Sequence, residues 1–243
     1  MPNVVVVRSQ EEAGQLVARA IADLIAVKPD AVLGLATGSS PLPVYTALAQ
    51  MSAQLDLSKV RGFALDEYVG LDPAHPQSYR SVIAREVVEP LGLSPDLIWV
   101  PPGERDGVET AGERYEAQIH QAGGVDIQLL GIGSNGHIAF NEPGSALDSR
   151  TRCEELTEQT RRDNARFFDS FDDVPRHCIT QGVGTILEAR ALFLLAFGEG
   201  KAAAIRDAVE GEVSSDCPAS ALQWHPDATI VVDEAAASLL AET

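Results

Sequence analysis

Cysteine is nearly absent from the chain: Cys153, Cys178 and Cys217 are an odd number, widely spaced, with no C-x-x-C or Cys/His zinc pattern among them. A disulfide framework is excluded on that count, and reduced thiols in a cytoplasmic protein are expected. No apolar span approaches the ~18 residues of a membrane helix, and the opening MPNVVVVRSQ lacks the basic region of a leader peptide. Cations are scarce too: 18 Lys and Arg stand against 36 Asp and Glu, with lysine only at Lys28, Lys59 and Lys201. The formal net charge of -18 repels nucleic-acid phosphates and anionic membrane surfaces, so neither is expected as a partner. The same field opposes anionic small molecules. A phosphate site would therefore have to be local, built from backbone N–H groups and a few placed cations.

What remains is ordinary globular material, 45% hydrophobic and 22% charged, in 243 residues without repeats or a shift in composition. One domain over 1–243 is expected, large enough to bury a core without metal or disulfide. Apolar, β-branched runs at Val4–Val7, Ala31–Ala36, Val60–Leu65, Val125–Leu130, Ala191–Phe197 and Ala228–Val232 predict strands buried on both faces. Helical patterns fall between them. Ser9 and Glu12 have capping-box spacing ahead of an apolar face from Leu16 to Ile25, and Pro29 bounds that helix. Further helices are predicted near Leu42–Met51, Ser78–Val88, Val108–Gln121, Thr160–Phe171, Lys201–Glu210 and Asp233–Ala241. Such alternation implies an α/β fold, with a mainly parallel central sheet covered by helices on both faces. Ligands of these sheets gather beyond the carboxyl ends of the strands.

Four segments in those positions carry candidate chemistry. Thr37-Gly38-Ser39-Ser40-Pro41 lies between a strand and a helix, where small residues let an anion approach free N–H groups and the helix dipole; an ordinary capped turn is the bland reading. Lys201, after Gly198-Glu199-Gly200, sits at another helix start, where a cation opposes the dipole unless an anion is near or water simply solvates it. Asp66 ends an apolar strand and is a general base if partly desolvated, or else a turn cap. The densest segment is Gly131-Ile132-Gly133-Ser134-Asn135-Gly136-His137, followed by Ile138-Ala139-Phe140-Asn141-Glu142-Pro143-Gly144. Its start matches the dinucleotide pattern G-x-G-x-x-G, with Glu154 about 20 residues on, but Pro143 and Gly144 interrupt the helix a pyrophosphate needs. The alternative is a glycine cup in which His137 and Glu142 face a substrate, Asn135 orients the imidazole, and protons move to and from sugar oxygens.

ALDEYVGLDPAHPQSYRSV, LLGIGSNGHIAFNEPGSALDSRTR, ARFF and ASALQWHPDATIVVDEAA together resemble the glucosamine-6-phosphate deaminase family, whose relatives include the 6-phosphogluconolactonases. The resemblance, from Leu33 to near the carboxyl terminus, implies a Rossmann-like fold. It implies conversion of glucosamine 6-phosphate and water into fructose 6-phosphate and ammonia, with no cofactor or metal. By this resemblance His137, with Glu142 and Asn135, opens the sugar ring, and Asp66 carries a proton between C2 and C1. The phosphate then lies on Thr37, Gly38, Ser39 and Ser40, with Lys201 and Arg166 as its cations, and Gly136 also touches the substrate. Asn135 stands where many members carry Asp, which weakens the charge behind His137. Acidic Glu154 and the end at Thr243 set the chain apart from the allosterically regulated hexameric members. A lactonase and a sugar-phosphate-sensing domain without turnover are the competing functions. A monomer and a homo-oligomer are both compatible with the sequence.

Overall fold

In a computed structural model, described over residues 1–241, ten strands form two sheets. The main sheet comprises β1 (Asn3–Val7), β2 (Val32–Leu35), β3 (Arg61–Ala64), β5 (Ile98–Trp99), β6 (Ile127–Leu130), β9 (Ala191–Ala196) and β10 (Ala228–Asp233). Its order is β1-β10-β9-β6-β2-β3-β5, and every pairing in it is parallel. All four residues of β2 and of β6 are buried. Because successive side chains point to opposite faces, both faces must be covered, as the continuous apolar runs predict. β1 departs from that expectation. It pairs with β10 at the sheet edge, and Val6 is 52% exposed.

The helices are α1 (Gln10–Val27), α2 (Leu42–Met51), α3 (Tyr79–Ile83), α4 (Glu89–Leu91), α5 (Ala111–Gln121), α6 (Glu158–Asn164), α7 (Val183–Leu187) and α8 (Ala202–Val209). A π-helical turn, Ala84–Val88, joins α3 to α4. The Ser9 hydroxyl accepts the Glu12 N–H as predicted, while Glu12 reaches back to the N–H of Arg8 rather than that of Ser9. Pro41 sits just before α2 at its N-cap position.

The helix predicted over Asp233–Ala241 does not form. β10 runs into Asp233, whose carboxylate accepts N–H groups from Gly198 and Ala236, and the residues beyond make separate turns. The helix predicted from Thr160 starts earlier, because Thr157 is the cap that accepts the Thr160 N–H, and it loosens into a 3-10 turn over Ala165–Phe167. A second, antiparallel sheet of β4 (Asp66–Tyr68), β8 (His177–Thr180) and β7 (Arg152–Glu155), in the order β4-β8-β7, escaped the sequence reading. The chain crosses into it at Leu65, which follows β3 directly. Leu65 still donates its N–H to Leu35, while its carbonyl accepts from Gln181 beside the small sheet.

Candidate active site

The main sheet changes direction of strand order at β2 and β6: β3 and β5 lie to one side, β9, β10 and β1 to the other. Loops leaving adjacent strands part there and open a crevice at the carboxyl ends. A cavity of about 840 Å³ occupies it, lined by residues following β2, β3, β6 and β9. Thr37, Gly38, Ser39, Ser40, Asp66, His137, Arg166 and Lys201 all line this one cavity.

The loop after β2 turns at Gly38 with φ of 91°, a backbone state that glycine adopts without strain, and delivers the chain to the start of α2. Free N–H groups there, with the positive end of the helix dipole, make an anion cradle. Across it the Lys201 ammonium donates to the Ile132 carbonyl at 2.7 Å, which ties it to the glycine loop after β6. Burial lowers the Lys201 pKa, with nearby Asp163 opposing. Arg166, on the turn after α6, is exposed, with its guanidinium 4.7 Å from the centre of the Phe167 ring.

Asp66 is the first residue of β4 and is only 6% exposed. Burial, reinforced by the neighbouring carboxyl of Glu67, pushes its pKa up to about 8. The adjacent carboxylate does different work. Glu67 accepts N–H groups from Tyr68, Tyr79 and Arg80 at 2.8, 2.9 and 2.9 Å, which caps the start of α3. The DEY segment thus divides into one acid facing the cavity and one supporting a helix.

In the glycine loop the hydrogen-bond polarity can be followed from residue to residue. Asn135 Nδ2 donates to Glu142 Oε2 at 2.8 Å, because a carboxylate accepts only. The Asn135 Oδ1 is then turned toward His137, 2.7 Å from Nδ1, so Nδ1 carries the hydrogen and Nε2 keeps a lone pair. Glu142 Oε2 also lies 3.5 Å from Nδ1. Burial raises the Glu142 pKa, but the hydrogen bonds from His137, Thr160 and Asn135 together hold it down to about 2. A carboxylate therefore still stands behind the imidazole despite the Asn135 departure: the amide links the ring to Glu142 instead of supplying the charge itself. The imidazole lies against Gly133, where a Cβ would sit 2.2 Å from His137 Cε1. Ala139, with φ of 51°, lines the cavity in a conformation that L residues seldom take.

Asn135 and Glu142 stand behind His137 rather than on the cavity wall. Gly136 is not on the wall either: its missing Cβ faces Cys217, where an added atom would lie 2.6 Å from Sγ, so it shapes the turn. No helix follows this loop before α6, which removes the dinucleotide reading. Cavity residues that the sequence reading missed include Tyr68, Tyr79, Thr160, Asn164 and Phe168. Asn164 donates to the Tyr68 hydroxyl at 3.0 Å, and Tyr68 packs edge-on against Phe168. Tyr68 closes β4 and Tyr79 opens α3, and aromatics in such positions more often belong to the core. Among the described residues, no group of three or more His, Cys, Asp and Glu could hold a metal ion.

A family model described as "Glucosamine-6-phosphate isomerases/6-phosphogluconolactonase" matches residues 8–231. The chain belongs to this family. A glucosamine-6-phosphate deaminase of Bifidobacterium longum (strain NCC 2705) is 58% identical over 99% of this chain and 93% of its own. That of Streptomyces avermitilis is 59% identical over 98% of this chain and 92% of its own. A solved monomeric glucosamine-6-phosphate deaminase superposes with a TM-score of 0.93 at 44% identity, covering 98% of this chain and 99% of the other. The 6-phosphogluconolactonase of Trypanosoma cruzi, at 20% identity over 100% of this chain and 98% of its own, shares the fold with a TM-score of 0.79. Within the family, the isomerase and deaminase branch is thus the similar one.

Proposed function

We propose that the protein is a glucosamine-6-phosphate deaminase, converting glucosamine 6-phosphate and water into fructose 6-phosphate and ammonia. The observation carrying this reading is the meeting of an elevated-pKa carboxyl, Asp66, and a free imidazole nitrogen, His137 Nε2, on one cavity beside an anion cradle. The N–H groups at Gly38, Ser39 and Ser40, with Lys201 and Arg166, hold the phosphate. His137 takes the proton of the anomeric hydroxyl and returns it to the ring oxygen, while Glu142 stabilises the transient imidazolium. The opened sugar then offers C2–H to Asp66, which accepts the proton and delivers it to C1, while the C1 oxygen takes up a proton and the amine nitrogen gives one up. C2 is left as an imine, to which water adds and from which ammonia departs. A carboxyl titrating near 8 suits both halves of that transfer, since neither its acid nor its base form is costly at neutral pH.

A coupled assay for ammonia with glucosamine 6-phosphate tests the reading. Release of ammonia and fructose 6-phosphate in equal amounts is expected. No ammonia from that sugar, together with hydrolysis of 6-phosphogluconolactone, would give the lactonase function instead. The three free cysteines fit a reducing cytoplasmic setting, and no helix among the described residues is long and apolar enough to cross a membrane.

A further inference from the structure

Glu142 is held from two directions, and only one of them is its own loop. From the loop, Asn135 and His137 address Oε2. From α6, the Thr160 hydroxyl donates to Oε1 in a short bond. The direction of that bond is itself fixed. Thr157, the cap of α6, accepts the Thr160 N–H at 3.1 Å and donates its hydroxyl to Thr160 Oγ1 at 3.0 Å. A hydroxyl that accepts from Thr157 has its own proton free for the carboxylate. Thr160 is 7% exposed, so water does not readily substitute for either partner.

We infer that Thr160 is a positioning residue for ring opening: through one hydroxyl it locks the Glu142 carboxylate in the orientation that keeps Asn135 and the His137 ring in register, and joins that register to the seating of α6. The inference rests on the deaminase reading for the step it serves. α6 leads directly into the turn bearing Arg166, so the arm that brings a cation to the substrate is also the arm that sets the imidazole. Proton transfer and substrate capture then share a mechanical link that neither the loop nor the helix supplies alone. The groups facing Glu142 are His137 and Asn135 from the loop and Thr160 from α6. Arg162 and Asp163 of α6 line the same cavity, and Arg152 of β7 bonds the adjacent Asn141.

Thr160→Val removes the hydroxyl at nearly constant shape, and Thr160→Ser keeps it. A hydrogen bond to a charged group is worth enough to change a rate about 10- to 100-fold, so Thr160→Val is expected to lower kcat by at least tenfold with KM nearly unchanged. The Glu142 titration should move up by about 1 to 2 on the pH scale, well below the limb that Asp66 sets on the rate. Thr160→Ser should restore both. The Glu142 carboxyl carbon, followed by NMR across pH, supplies a readout independent of turnover and should titrate higher in the Val variant. Unchanged kcat and an unchanged Glu142 titration in Thr160→Val would overturn the inference, as would a Ser variant as impaired as the Val variant. If the Val variant does not fold, the comparison of Thr160→Ala with Thr160→Ser decides by the same two readouts. If the wild type releases no ammonia, the reaction assignment fails, and the Glu142 titration still decides the role of Thr160.

Discussion

A carboxyl group that loses its proton near pH 8 is mostly neutral at pH 7, so Asp66 waits as an acid and becomes a base on the alkaline side of neutrality. The rate with free enzyme is therefore expected to climb with pH through a limb centred near 8. Asp66→Asn should abolish the limb and lower kcat by ~10²- to 10⁴-fold while substrate analogues still bind. The elevated pKa also acts on folding. The native chain keeps this proton between about pH 4 and 8, where the unfolded chain has released it, so the native state binds more protons and stability falls as pH rises through that window. Asn has no proton to lose. The Asn variant should thus melt above the wild type, with the gap widening from pH 5 to pH 8.5 to about 1 to a few kcal/mol. A gap that closed with rising pH would contradict the assignment. At this scale the sequence was informative about kinds of residue and silent about direction. Asp66 and Glu67 are indistinguishable in a string, and only the N–H groups of Tyr79 and Arg80 show which of them is spent on a helix.

Elements place these residues through short, specific ties. Glu67→Gln puts an amide N–H₂ where one oxygen accepts N–H groups at the start of α3 and leaves a buried donor facing another donor. A loss of about 1–3 kcal/mol in urea unfolding at pH 7 is expected, several degrees in Tm. A silent substitution would remove Glu67 from this structural role. Long buried strands were legible because β2 and β9 are written in continuous apolar residues, and β6 in apolar residues broken only by Gln128. β4 and β7 were not. Their sequences, DEY and RCEE, carry the charges of loops and gain strand geometry only by pairing with β8. Alanine-rich Glu234–Ala241 misled in the opposite sense: helix propensity is a weak prior, and the tie of Asp233 to Gly198 overrode it. The cavity wall drawn from α6 was illegible for a related reason, since Thr160 and Asn164 come from a helix whose covering position depends on tertiary contact.

Across the whole molecule the net charge of -18 discourages self-association, and the exposed large apolar side chains, among them Val6, Val27, Phe167 and Trp224, belong to different elements. Light scattering at low micromolar concentration should accordingly report one species near 25.8 kDa, with hyperbolic saturation by substrate. A mass six times larger would reverse this expectation. The sheet itself joins residues far apart in the chain. Asn3–Val7 takes its hydrogen bonds from Thr229–Asp233. A ribosome emits the former well before the latter, so β1 stays unpaired until β10 has followed it. The edge of the sheet is completed late, like a clasp whose two halves are forged far apart in time.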